Sequence, residues 1–186
     1  MTFLTSLWIP IVLSAVLVFA ASSIIHMVFK YHNSEFRKLP NEDEVRAALR
    51  AGAPQPGQYM VPYCPGMEAM KTPEARQKFD EGPVGMLQLR PSGVPKMGGT
   101  LGLWFLLNLA VALLAGYLAA KTLSATATTG QVWRVTGLLT FVAYATGSVQ
   151  AGIWMARPGS AVGKEVFDSV IYAAITAAVF GWLWPR

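Results

Sequence analysis

Charge is what this sequence most lacks. Only 13% of its 186 residues are charged, against about a quarter in an ordinary soluble domain, while 53% are hydrophobic. The deficit is concentrated: residues 1–29, 97–120, 135–156 and 169–185 contain no Asp, Glu, Lys or Arg. Apolar runs of about 17–25 residues are what a hydrocarbon core of ~30 Å demands of a helix that satisfies its own backbone. Four such runs exclude an ordinary water-soluble enzyme and a disordered tail. They predict an all-α, polytopic integral membrane protein with four transmembrane helices. Cysteine is nearly missing too, and with Cys64 alone no disulfide forms within the chain, which fits a reducing face for its segment. Missing as well are a glycine-rich phosphate loop, H-E-x-x-H, C-x-x-C and G-x-S-x-G. No acid of the hydrophilic stretch is paired with a histidine at a catalytic spacing, so the chain reads as a non-enzyme.

The net charge of +5 does not point to nucleic acid. Its basic residues are mixed with acids in one hydrophilic stretch or flank the apolar runs, as juxtamembrane residues do. The first run is read as a retained helix rather than a secretory signal, because nothing basic precedes Lys30 and the run is long, although Ala20-Ala21-Ser22 has some likeness to a cleavage site. Expected spans are residues 3–29, with Pro10 near the start, then 100–120, 132–156 and 166–184, the last closed by Pro185. Trp8, Trp104, Tyr117, Trp133, Trp154, Trp182 and Trp184 lie near the expected ends, as an interfacial aromatic belt would.

Orientation follows from lysine and arginine near those ends. Lys30, Arg37, Lys38, Arg46, Arg90, Lys96, Arg157 and Lys164 must share one face of a four-span protein, and only Lys121, Arg134 and Arg186 fall on the other. The rule that cytoplasmic loops are the basic ones places residues 30–99 in the cytoplasm and both ends of the sequence outside, in the periplasm if the membrane is a bacterial inner membrane.

Residues 30–99 hold 10 of the 15 basic residues, 8 of the 10 acidic ones and 9 of the 12 prolines. A helix is predicted near 42–51, capped by Asn41 with Glu44 completing a capping box and Gly52 ending it. A second is predicted near 73–80, with Thr72 as cap and Pro73 in its first position. Residues 84–90 are candidates for an extended segment. Residues 54–57 and 61–66, rich in proline and glycine, read as rigid irregular loop. The segment is too short and too broken by proline to bury a good core, yet its apolar side chains are too many for a simple linker. It is therefore expected to order against something, with Met60, Tyr63, Met67 and Met70 as its contact residues.

Within the apolar runs, Ala143, Gly147 and Ala151, and likewise Ala173, Ala177 and Gly181, are spaced to pack helices closely, while Ala174 and Ala178 form a stripe suited to another subunit. Asn108, Gln150 and Asp168 are the intramembrane polar residues. Asp168, four residues after Lys164, reads as an interfacial salt-bridged group rather than an ion site. His26 is the one cofactor-ligand candidate, as an axial ligand to haem or chlorin, but on a continuous helix it and His32 point in different directions. Met60, Cys64, Met67 and Met70 have soft-ligand chemistry, though their spacing suits an adaptable apolar contact better. No cofactor or metal is assigned.

The function these features lead to is that of a non-catalytic accessory or scaffolding subunit of a larger bacterial membrane complex, such as a respiratory or photosynthetic one. Its expected partners are the lipid bilayer and other membrane subunits. The alternatives are a small transporter or channel subunit using Asn108, Gln150 and Asp168, and a cofactor-bearing membrane redox protein.

Overall fold

The computed structural model describes residues 3–185, with side chains described from residue 5 onward; Arg186, counted above for orientation, lies outside this range. The chain is mostly helical, 72% of it, and divides into two compact units: Met1–Arg37 together with Lys96–Arg186, and Lys38–Pro95.

The first unit contains four long helices. They are α1 (Phe3–Ile24), prolonged by a π-helical turn (Ile25–Phe29), then α5 (Met97–Thr122), α6 (Thr129–Trp154) and α7 (Gly159–Leu183). Three segments, Thr5–Phe29, Met97–Thr122 and Gly159–Leu183, are long and apolar enough to cross a membrane. The fourth helix, α6, matches α5 in length at 26 residues but carries Gln131, Arg134, Thr136, Thr140, Thr146, Ser148 and Gln150, which lower its hydropathy. Observed bounds differ from the expected ones by a few residues at most ends. At α7 the difference reaches seven, because Lys164 and Glu165 lie inside its first two turns.

Helix α1 packs against α5 and α7, and α6 runs along α7 in the most extensive helix pairing of the unit. The inner face of α1 is Leu7, Ile11, Ser14, Ala15, Val18, Ser22 and Ile25, spaced three or four residues apart as one side of a helix must be. A methyl group at Gly116 would stand 3.2 Å from both Ile11 and Phe180, and one at Gly137 would stand 3.3 Å from Ala177. Small residues thus set the closest approaches. Ala173, Ala177 and Gly181 are buried as expected, and Ala174 and Ala178 face outward. The expected packing stripe on α6 is different, however. Ala143 and Gly147 are exposed and Ala151 half-buried, while Val132, Thr136, Thr140 and Ala145 turn inward. The hydroxyls of Thr136 and Thr140 donate to the carbonyls of Val132 and Thr136, so they are buried without an unmet hydrogen bond. The aromatic belt is also corrected. Trp184 is buried and donates to the Ser124 carbonyl at 3.3 Å, and Trp104 is drawn inward to Ser22 at 2.8 Å. The link between α5 and α6 ends in a capping box that sequence reading overlooked, with Thr128 and Gln131 each bonding the other's backbone N–H.

The second unit, Lys38–Pro95, holds α2 (Glu42–Gly52), α3 (Met67–Met70) and α4 (Pro73–Glu81), with a hairpin of β1 (Gly57–Val61) and β2 (Gly85–Leu89). The strands are antiparallel and pair Gly57 with Leu89, Tyr59 with Leu87 and Met60 with Met86. The extended segment near residue 84 is therefore confirmed, and its partner strand lies in part where irregular loop was expected. Thr72 caps α4 as predicted, accepting from the Ala75 N–H at 3.2 Å, with Pro73 in the first turn. The capping box at Asn41 does not form; Val45 donates to the Asn41 carbonyl instead. Helix α2 runs through Gly52, and Ala53 takes the left-handed conformation that ends it, at φ 44°. No residue from 38 to 95 is buried.

Candidate functional site

The site begins where α1 stops being a regular helix. After the π-helical turn, Lys30 adopts a left-handed conformation (φ 53°) and its N–H bonds back to the Ile25 carbonyl at 3.1 Å. A short 3-10 turn, Tyr31–Glu35, follows. This reversal folds His32 over His26, so that their rings stack in parallel with centroids 4.5 Å apart and an interplanar angle of 2°. The expectation that the two histidines diverge fails for this reason: it assumed an unbroken helix, and Lys30 breaks it.

From α7, Asp168 enters the same space. It is 3% exposed, and both of its oxygens are engaged. The Tyr31 hydroxyl donates to Oδ1, and Oδ2 lies 2.9 Å from His32 Nε2. On the far side of the imidazole, His32 Nδ1 lies 2.5 Å from Glu35 Oε1. Glu35 is in turn 3.8 Å from the Arg157 guanidinium, which grips Glu165 with two nitrogens, and the Ser148 hydroxyl also donates to Glu165. Lys164 donates to the Tyr31 carbonyl at 2.7 Å and to the Ser34 hydroxyl at 2.6 Å. The i,i+4 pairing of Lys164 with Asp168 is therefore corrected. Lys164 holds the 3-10 turn, and Asp168 is satisfied from that turn.

Three carboxylates, Glu35, Glu165 and Asp168, face two fixed cations, Arg157 and Lys164. Burial, and then the hydrogen bond to Asp168, push the Tyr31 hydroxyl well above the ordinary tyrosine range, so it stays a donor. The hydrogen bonds from Glu165 hold Arg157 firmly in its charged form. The arrangement ties the end of α1 to the start of α7 and the end of α6. It also brings Arg157 and Lys164 to the residues that follow Lys30, at one end of the bundle.

His26 is exposed, and its Nδ1 faces the Ser22 carbonyl at 2.9 Å. Potential ligand atoms of His26, His32 and Asp168 lie within 4.8 Å of one another. The other polar residues singled out within the apolar runs do not join them. Asn108 is buried on α5 and accepts from the Tyr144 hydroxyl at 2.7 Å, whereas Gln150 is exposed on α6 beside Phe141, Val142, Val149 and Ile153. Met60 is on β1, Cys64 in the loop after it, and Met67 and Met70 in α3; Cys64 is half-buried, and Met60, Tyr63 and Met67 are exposed. Sequence reasoning missed Tyr31, Glu35, Arg157, Glu165 and Ser148. One signal was available: Glu165 and Asp168 are the only acids outside the hydrophilic stretch, three residues apart on one helix face, and buried acids need partners.

Comparison with known proteins finds no matching family model, no similar curated protein and no similar solved structure.

Proposed function

We propose that the chain is a non-catalytic accessory or scaffolding subunit of a larger membrane protein complex, with residues 38–95 as its docking unit. One observation carries this reading. The unit has two well-formed helices and a hairpin but no buried side chain, while Tyr63 and Met67 are 74% and 73% exposed and Met60 and Met86 stand side by side on the hairpin. So small a unit gains too little from its own burial to offset the ordering of its chain, and exposed apolar side chains at that density mark a contact surface. Methionine supplies adaptable apolar contact, and Ala174 and Ala178 offer a small-residue face within the bilayer.

In this reading α6 is the fourth span, kept in the membrane by its long contact with α7. The protein lies in a bacterial inner membrane, with residues 38–95 cytoplasmic and both ends of the sequence periplasmic. A periplasm-active reporter fused after Arg186 should be active, and an inactive fusion would contradict the orientation. Purification from native membranes in mild detergent should give a species far above 20.1 kDa containing unrelated chains in fixed ratio. Tyr63→Ser with Met67→Ser should release the chain from it. A stable species of this chain alone, unaffected by that double substitution, would overturn the proposal.

A further inference from the structure

Independently of any partner, we propose that His26, His32 and Asp168 form a binding site for one divalent transition-metal ion of the zinc type. Hydrogen-bond accounting carries the argument. His26 Nδ1 faces a carbonyl oxygen, which only an N–H can satisfy, so Nε2 is left with its lone pair. His32 Nδ1 faces the Glu35 carboxylate, and donation there leaves Nε2 to bind an ion that replaces its hydrogen bond to Asp168 Oδ2. Asp168 has Oδ1 held by the Tyr31 hydroxyl, leaving Oδ2 directed at His32 Nε2. Ligand atoms of the three residues lie within 4.8 Å of one another, and each residue thus has one polar atom held by a carbonyl, a carboxylate or a hydroxyl. That is the second layer that orients metal ligands and fixes the histidine tautomer.

The dimensions agree for two of the three ligands. Zinc bonds of about 2.0–2.1 Å place tetrahedral ligand atoms about 3.3 Å apart. His32 Nε2 and Asp168 Oδ2, at 2.9 Å, are already close to that separation. His26 is the ligand that must move. Its ring is parallel to that of His32, and two parallel rings cannot both hold one ion in their planes. To reach an ion bound by the other two, the exposed His26 ring must leave its stack on His32, while its ligand atom already lies within 4.8 Å of theirs. Two imidazoles and a carboxylate select zinc and its neighbours over magnesium, calcium or cuprous copper, and leave a fourth position for water. The excess negative charge of the cluster favours a cation there.

The test uses the untagged full-length protein in detergent, stripped with EDTA and titrated with Zn2+ by calorimetry and with Co2+ by visible absorption. One ion per chain is expected, with a Co2+ spectrum showing nitrogen and oxygen ligation that Zn2+ abolishes. His26→Ala and Asp168→Asn should each weaken binding at least about 10-fold, and Glu35→Gln by about 10-fold through the second layer. His26→Ala is the deciding variant, because His26 is exposed and gives up only a hydrogen bond within its own helix and the stack on His32, so circular dichroism should show the fold intact. No saturable binding, or binding that His26→Ala leaves unchanged, overturns the proposal.

Discussion

Replacing Asp168 with alanine removes a carboxylate that joins the end of α1 to α7. The residue is almost wholly buried, so its interactions are little screened by solvent. It accepts from the Tyr31 hydroxyl and faces His32 Nε2 at 2.9 Å, and a hydrogen bond to a charged group contributes about 1.5–3 kcal/mol. Removing one partner of such a buried pair costs about 3–5 kcal/mol, because the other group stays buried without compensation. We therefore expect Asp168→Ala to cost about 3–5 kcal/mol, or roughly 10 °C in melting temperature for a chain of this size. The assay is thermal unfolding in detergent micelles with EDTA present, which separates the hydrogen-bond contribution from any metal. A double-mutant cycle with His32→Ala isolates the pair, and a coupling of about 1.5–3 kcal/mol is expected. A coupling below about 0.5 kcal/mol would refute the claim that these residues interact as described.

Gly116→Val should destabilise the bundle by about 1–3 kcal/mol in the same assay, since even a methyl group there meets Ile11 and Phe180 at 3.2 Å. Thr128→Ala removes the cap of α6 and should cost about 1 kcal/mol, with Thr128→Ser restoring most of it. Tyr31→Phe should flatten the alkaline limb of the stability profile. The Tyr31 hydroxyl keeps its proton in the folded protein beyond the ordinary value of 10.0, so above that pH the folded state binds a proton that the unfolded chain has lost. Stability then falls as pH rises, so the wild-type advantage over the variant should be full at pH 7 and shrink above about pH 10. A difference of equal size at pH 7 and pH 11 would contradict this origin.

Much of the helical architecture could be read from the sequence, because uncharged runs of membrane length have few other uses. The inward faces could not. A helix whose small and polar residues are spread round its circumference carries no clear periodic signal, so on α6 the exposed Ala143 and Gly147 look as suitable for packing as the buried Thr136 and Thr140. The site was hidden for a different reason. Its histidines share a space only because Lys30 takes a left-handed conformation that nothing in residues 25–31 advertises, and non-glycine residues adopt it rarely. The hairpin escaped notice because its strands are separated by 23 residues that include α3 and α4, and short-range turn signals do not report such a pairing.

The central claim, that residues 38–95 dock on another protein beside the membrane, is tested most directly by light-activated crosslinking in native membranes. A photoreactive side chain is placed at position 63 or 67, with position 182, on the outward face near the end of α7, as the comparison. The account predicts discrete protein adducts from 63 and 67 and mainly lipid adducts from 182. Only lipid adducts or none from 63 and 67, with the chain still at 20.1 kDa, would contradict it.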